Sequence, residues 1–233
     1  MRLDKYIAGA GAASRSEVKK LIRMGAVTVN GTAASGADMR IDENKDIVCI
    51  NENPIKYRKF VYLMLNKPQG YVSATEDRHY KTVTELVPAE YAHYNVFPAG
   101  RLDIDTEGLL ILSNDGGFVH NIISPKKNVY KKYFARLDRA AEERDIAAFA
   151  DGMEFKDFTA KSALLEICEN PREVYISVAE GKFHQVKRMC ERVGKRVEFL
   201  KRVSVGGLRL DDKLKSGELR ELTEEELKLI FNG

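Results

Sequence analysis

The sequence predicts an α+β protein, with a small N-terminal module over residues 1–58 and a larger domain over 59–233. In the larger domain a mostly antiparallel mixed sheet carries flanking helices. Three observations point there. Short apolar runs of strand length recur at 61–65, 109–112, 132–137, 163–167 and 174–178, mixed with helical patterns but without a regular βαβ period. Helical spacing and a helix-capping serine open the chain, and a strand with an Asn-Gly turn follows them. Residues 53–59, with Pro54 and three basic residues, read as a linker between the two parts.

Element by element, Leu3, Ile7 and Ala10 fall on one face of a first helix. Ser14 or Ser16 can cap a second that runs through Val18, Leu21 and Ile22. Val27 and Val29 before Asn30 and Gly31 begin a strand unit that 46–50 continues. In the larger domain, residues 141–151 have helical patterning. Residues 183–193 form a second helix there, set between Gly181 and Gly194. No internal repeat or low-complexity tract interrupts the pattern.

Bulk composition leaves room for an enzyme. A chain of 233 residues with 44% hydrophobic content can pack one ordinary domain and a small one. The net charge of +3 says little, but its distribution says more. Residues 182–202 hold eight Lys or Arg against two Glu, whereas the tail from Asp211 holds seven acidic residues against four basic ones. That asymmetry fits one cationic face and one solvated face. Cys49, Cys168 and Cys190 are odd in number and far apart, and the four histidines lack ligand spacing, so neither a disulfide framework nor a metal site is expected. No apolar run has the length of a membrane span, and the chain reads as a cytoplasmic protein without a membrane partner.

The most informative segment is Gly100, Arg101, Leu102, Asp103, Ile104, Asp105, Thr106, Glu107 and Gly108, followed by the apolar run 109–112. A carboxylate on a Pro/Gly-bounded loop beside a rigid strand, with a cation two residues away, is one way to present a reactive Asp. Two other readings compete. Asp103, Asp105, Glu107 and Gly108 imitate the first half of a calcium loop, but the position of its closing bidentate Glu is Asn114. A solvated polar turn before a buried strand is the third reading.

The string around Gly100, Arg101, Leu102 and Asp103 resembles the GRLD signature of pseudouridine synthases, and its extension through Thr106 and Gly108 resembles the RsuA branch, which acts on ribosomal RNA. Further pieces of that pattern occur in order: Asn66, Lys67, Pro68, Gln69, Gly70 and Tyr71; then Lys131, Lys132 and Tyr133; then Glu180 to Met189; then Gly206, Gly207 and Leu208. The opening residues and the stretch from Arg23 to Gly31 resemble an S4 RNA-binding module, so the likeness covers nearly the whole chain.

The resemblance implies a pseudouridine synthase catalytic domain behind an S4 domain. It implies an isomerase that needs no cofactor and acts on ribosomal RNA, small-subunit RNA or an assembling particle, as a monomer. The reaction detaches a uracil from its ribose, turns it and rejoins it through carbon, and the uridine must first leave its stack. Carried over residue by residue, Asp103 is the catalytic carboxylate, as nucleophile or as base. Tyr133 matches the active-site tyrosine that stacks on the base, against the plain reading of a core aromatic. Lys187 is the cation that holds Asp103 ionised, with Arg188 its rival and an RNA contact. Arg101 pairs with Asp103 or fills the gap left by the base. Asp105 is a structural residue that orients the loop, and His184 and Gln185 are supports. Lys5, Arg15, Lys19, Lys20 and Arg23 are phosphate contacts on the S4 helices, and Lys67 contacts RNA from a substrate-facing turn. A noncatalytic S4-type assembly factor, a large-subunit synthase of the same family and a nucleoside hydrolase are the alternatives.

Overall fold

The computed structural model describes residues 1–232 and falls into two compact units. The first comprises Met1–Val61 and Pro88–Asn95; the second comprises Tyr62–Val87 and the chain from Val96 onward. A short helix, Ala89–Ala92, therefore belongs by its contacts to the N-terminal unit, although it lies well inside the larger domain in sequence.

The N-terminal unit holds α1 (Leu3–Gly9), α2 (Arg15–Arg23), β1 (Val27–Val29), β2 (Thr32–Ala33), β3 (Val48–Ile50) and β4 (Asn53–Ile55), with strand order β2-β1-β3-β4. Ser14 caps α2 through a reciprocal box: Glu17 N–H donates to the Ser14 hydroxyl, and the Ser14 N–H donates to the Glu17 carboxylate. Leu3, Ile7, Val18, Val27 and Val48 make the core of this unit. The expected linker begins later than the sequence suggests. Asn53–Ile55 is the edge strand β4, where Pro54 is tolerated because an edge strand has a free side.

The larger unit is built on one nine-stranded sheet, with two separate two-stranded sheets beside it. Its strands are β5 (Tyr62–Lys67), β6 (Tyr71–Val72), β7 (Lys81–Thr82), β8 (Phe97–Pro98), β9 (Glu107–Ser113), β10 (Lys131–Leu137), β11 (Met153–Glu154), β12 (Thr159–Ala160), β13 (Leu164–Ile167), β14 (Glu173–Val178), β15 (Val197–Val205), β16 (Leu208–Arg209) and β17 (Leu219–Glu221). With α3 as Ala89–Ala92, the remaining helices are α4 (Gly116–Ile123), α5 (Glu143–Asp151), α6 (Gln185–Arg192) and α7 (Glu224–Leu229). The main order is β13-β14-β10-β15-β9-β5-β17, antiparallel at every step except β15 against β9. β5 and β9 have neighbours on both sides and are almost wholly buried, so their sequences are apolar runs instead of alternating patterns.

Candidate active site

The loop bearing Asp103 is held from beneath by a buried lysine. Lys67, the last residue of β5, is fully enclosed, and its ammonium donates to the carbonyls of Pro68 (3.0 Å), Asp103 (3.1 Å) and Thr106 (2.9 Å). The Ser73 hydroxyl accepts from Leu102 N–H and donates to the Leu102 carbonyl, both at 2.9 Å, and Gly70 N–H donates to Ile104 O. Burial pushes the Lys67 ammonium down to about 8, against the pull of Asp105 and Asp103. Lys67 is thus not an RNA contact. The Lys-Pro-x-Gly turn serves the backbone of the Asp103 loop, and an ammonium whose three N–H groups all go to backbone carbonyls, on a side chain that does not line the cleft, has none left for a phosphate.

Gly108 explains why the motif extends past Glu107. It has φ +103°, and a Cβ there would lie 2.2 Å from the Arg202 carbonyl oxygen on β15. Only glycine lets β9 and β15 approach in parallel register at this point.

A cleft of about 490 Å³ opens above this loop. Its floor is one face of the sheet: the register sets Arg202 opposite both Gly108 on β9 and Tyr133 on β10, and Thr106, Leu200, Arg202, Lys131 and Tyr133 all line the cleft. Its wall is the segment 180–187, where Glu180 accepts from Lys161 N–H and from the Gln185 amide. Phe183 at the mouth is 69% exposed and stacks on His184, with ring centroids 3.8 Å apart and planes 17° apart. His184 itself adopts a left-handed conformation, φ 51°, at the start of α6.

Asp103 is partly exposed in this cleft. Lys187 Nζ lies 3.3 Å from its Oδ2 and His184 Nε2 lies 3.6 Å from its Oδ1. Lys187 also donates to Asp105 Oδ1 at 2.6 Å, so one ammonium bridges two carboxylates. Burial works to raise the Asp105 carboxyl, but the Lys187 hydrogen bond and charge outweigh it and hold it below its ordinary value. Between the two cations weighed as the partner of Asp103, the geometry brings Lys187. Arg188 instead forms a two-pronged pair with Asp157 at 2.6 and 2.9 Å and lies over the rings of Phe155 and Phe158, tying α6 to the turn between β11 and β12. Its guanidinium is therefore already engaged by protein. Arg101 is exposed and makes no ion pair among the described residues, so it does not pair with Asp103 here.

Tyr133 is mostly buried yet lines the cleft. Its ring packs in the sheet at the edge of the open volume. In the N-terminal unit Lys5, Arg15, Lys19, Lys20 and Arg23 are all exposed on or beside α1 and α2, and none is in an ion pair among the described residues. Asp105, Lys131, Thr106 and Arg202 escaped the reading of the sequence as site residues with a direct part. The register of β15 on β9 and β10 brings the last three together, and sequence spacing carries no trace of it.

The model of the RNA pseudouridylate synthase family matches residues 61–192, and that of the S4 domain matches residues 1–47. The chain belongs to the RNA pseudouridylate synthase family. As a member it is a pseudouridine synthase, and the α+β fold expected from the sequence is the one found. It is 44% identical to an uncharacterized RNA pseudouridine synthase of Bacillus subtilis (strain 168), over 99% of this chain and 98% of that protein. It is 40% identical to the ribosomal small subunit pseudouridine synthase A of Escherichia coli (strain K12), over 99% of this chain and all of that protein. A crystal structure of a pseudouridylate synthase superposes with a TM-score of 0.69 at 36% identity, covering 99% of both chains.

Proposed function

We propose that this synthase isomerises one uridine of small-subunit ribosomal RNA, working as a monomer in the cytoplasm. The observation that carries the catalytic reading is a carboxylate in the cleft: Asp103 lines the open volume and keeps a cation at 3.3 Å that is simultaneously anchored to Asp105. A purely RNA-binding protein has no use for a carboxylate set among cations, because it repels the phosphates. The small-subunit reading is supported by likeness along the full length to a relative named for that activity.

In this reading the target uridine is drawn out of its stack into the cleft. Asp103 acts at the ribose, as nucleophile or as base, with the Lys187 ammonium beside it at 3.3 Å. Tyr133 offers its ring to the base. Arg101, exposed at the rim, is free to occupy the space the base vacates. Phe183 presents an open aromatic face to an unpaired neighbour, beside Lys182. The five cations of α1 and α2 supply phosphate contacts.

The test is to map pseudouridines in ribosomal RNA from cells with and without the protein. A single site missing from small-subunit RNA in the deletion, restored by wild-type protein but not by Asp103→Asn, is the expected result. Loss of a site in large-subunit RNA would support the alternative branch, and an unchanged map would refute the proposal.

A further inference from the structure

Among the described residues, three buried side-chain atoms have no hydrogen-bond partner, and two of them line the cleft: Thr106 Oγ1 and Arg202 Nη2. Arg202 is 3% exposed and lies in no ion pair; its Nε donates to Leu109 O at 2.7 Å, and its Nη2 donates to nothing. Lys131 beside it is also buried, its ammonium donating to Ile122 O, and burial together with the Arg202 charge pushes it down to about 8. Two buried cations without a carboxylate between them are costly, and an unfilled buried guanidinium donor costs more. Such a donor in a cleft is completed by an acceptor on the ligand.

We infer that Arg202 Nη2 donates to a carbonyl oxygen of the extruded uracil, with Thr106 Oγ1 serving the same ring, and that this contact holds the base while it is detached and turned. The inference rests on the pseudouridine synthase reading of the cleft. When the N1–C1′ bond breaks, both electrons remain on the base, and its negative charge spreads onto O2 and O4. The cationic donor therefore binds the detached base more strongly than it binds the neutral uridine, which lowers the barrier and not merely the energy of binding. Uracil also has near two-fold symmetry about its N3–C6 axis. Turning about that axis exchanges N1 with C5 and one carbonyl with the other, so a fixed donor meets a carbonyl oxygen before and after the turn. C5 then bonds to C1′ as Asp103 leaves the sugar or returns the proton it took, and C5 gives up its proton to solvent while N1 takes one up, so that the product is an isomer of the starting uridine. Cytosine lacks this symmetry, because the turn would swap a carbonyl for an amino group and set donor against donor.

The test uses full-length Arg202→Lys and Thr106→Val with small-subunit ribosomal RNA under single-turnover conditions, with RNA affinity and thermal unfolding measured in parallel. Arg202→Lys keeps the charge but not the fork, and is expected to slow pseudouridine formation about 10- to 100-fold with RNA affinity unchanged. Thr106→Val removes a hydroxyl that has no partner in the free protein, so its melting temperature should not fall while its turnover does. A further readout separates contact with the base from a structural role: wild type should bind 5-nitrouracil, an anion at neutral pH, at least about ten-fold more tightly than uracil, and Arg202→Met should lose that preference. A folded Arg202→Lys turning over at the wild-type rate, or wild type with no preference for the anionic base, overturns the inference. If Arg202→Lys fails to fold, a wild-type rate in Thr106→Val does so. Wild type that makes no pseudouridine overturns the reading of the cleft instead, and the base-binding preference then judges Arg202 alone.

Discussion

Replacing Lys67 with methionine keeps the apolar stem that fills its enclosed site and removes the ammonium that donates to Pro68, Asp103 and Thr106. Each carbonyl left unpaired costs about 1–3 kcal/mol. Against that, the fall of the ammonium from 10.5 to about 8 means that burying its charge costs roughly 3 kcal/mol, which the variant regains. The net expected loss at pH 7 is about 3 kcal/mol. The pH dependence is more telling. Between about 8 and 10.5 the unfolded chain holds a proton on Lys67 that the folded chain has released, so this group makes wild type more stable as pH rises through that window. The variant lacks the contribution, and the stability gap between the two proteins should widen by up to roughly 3 kcal/mol from pH 7 to pH 10.

Turnover should move the other way. A neutral amine has two N–H donors for three carbonyls, so the Asp103 loop loses one tether above pH 8 and wild-type activity declines while this contribution to stability grows. Urea unfolding of both proteins at pH 7 and 10, with single-turnover rates across pH 7 to 9, checks both arms. A gap that stays constant or narrows with rising pH would refute the account of Lys67 as a buried, charged tether.

Asp103→Asn should abolish pseudouridine formation and leave RNA affinity intact, because the amide cannot attack or accept a proton and Lys187 retains Asp105 as partner; wild-type conversion by the folded variant would remove Asp103 from the chemistry. Tyr133→Phe should fold as wild type, since the hydroxyl has no hydrogen-bond partner among the described residues, but turn over slowly; normal turnover would confine the role of Tyr133 to its ring. Replacing Lys5, Arg15, Lys19, Lys20 and Arg23 by glutamine should weaken RNA binding and lower the slope of log K against log salt by about 0.7–0.9 for each lost phosphate contact. These substitutions are preferable to deleting residues 1–58, because Pro88–Asn95 packs with that unit and would be stripped of its neighbours. An unchanged salt slope would sink the phosphate-contact reading.

Two strands of the sheet were legible in the sequence because burial on both faces makes them continuous apolar runs, as residues 62–67 and 107–113 show. Helix α2 was legible through its capping serine. The strand Val197–Val205 was not, because Glu198, Lys201 and Arg202 interrupt its apolar residues and the stretch reads as part of a basic patch. Residue type also misled at Lys67, where a lysine in a Pro/Gly turn suggests a solvent-facing cation and the chain uses it as an internal donor to backbone. Asp103 could be found from its motif, but its partner could not: Lys187 and Arg188 are adjacent, and only the turn of α6 sends one to the cleft and the other to Asp157.

The bridging of Lys187 between two carboxylates bears directly on how Asp103 can react. The shorter contact, 2.6 Å, goes to Asp105, and Asp103 holds the longer one, 3.3 Å. If Asp103 forms a bond to the sugar or takes up a proton, it loses its negative charge and with it the attraction of Lys187. A lysine held by Asp103 alone would then be a stranded cation in a partly desolvated cleft, adding its desolvation cost to the barrier. With Asp105 already the nearer partner, the ammonium stays neutralised through the step, and the reactive carboxylate changes state without leaving an uncompensated charge behind. Asp105 thus acts as a standing counter-ion. On this argument Asp105→Asn should lower turnover while leaving Asp103 and Lys187 as a simple, tighter pair. Measured against wild type, the variant's single-turnover rate should fall with no loss of RNA affinity, and an undiminished rate would show that Lys187 needs no second anion.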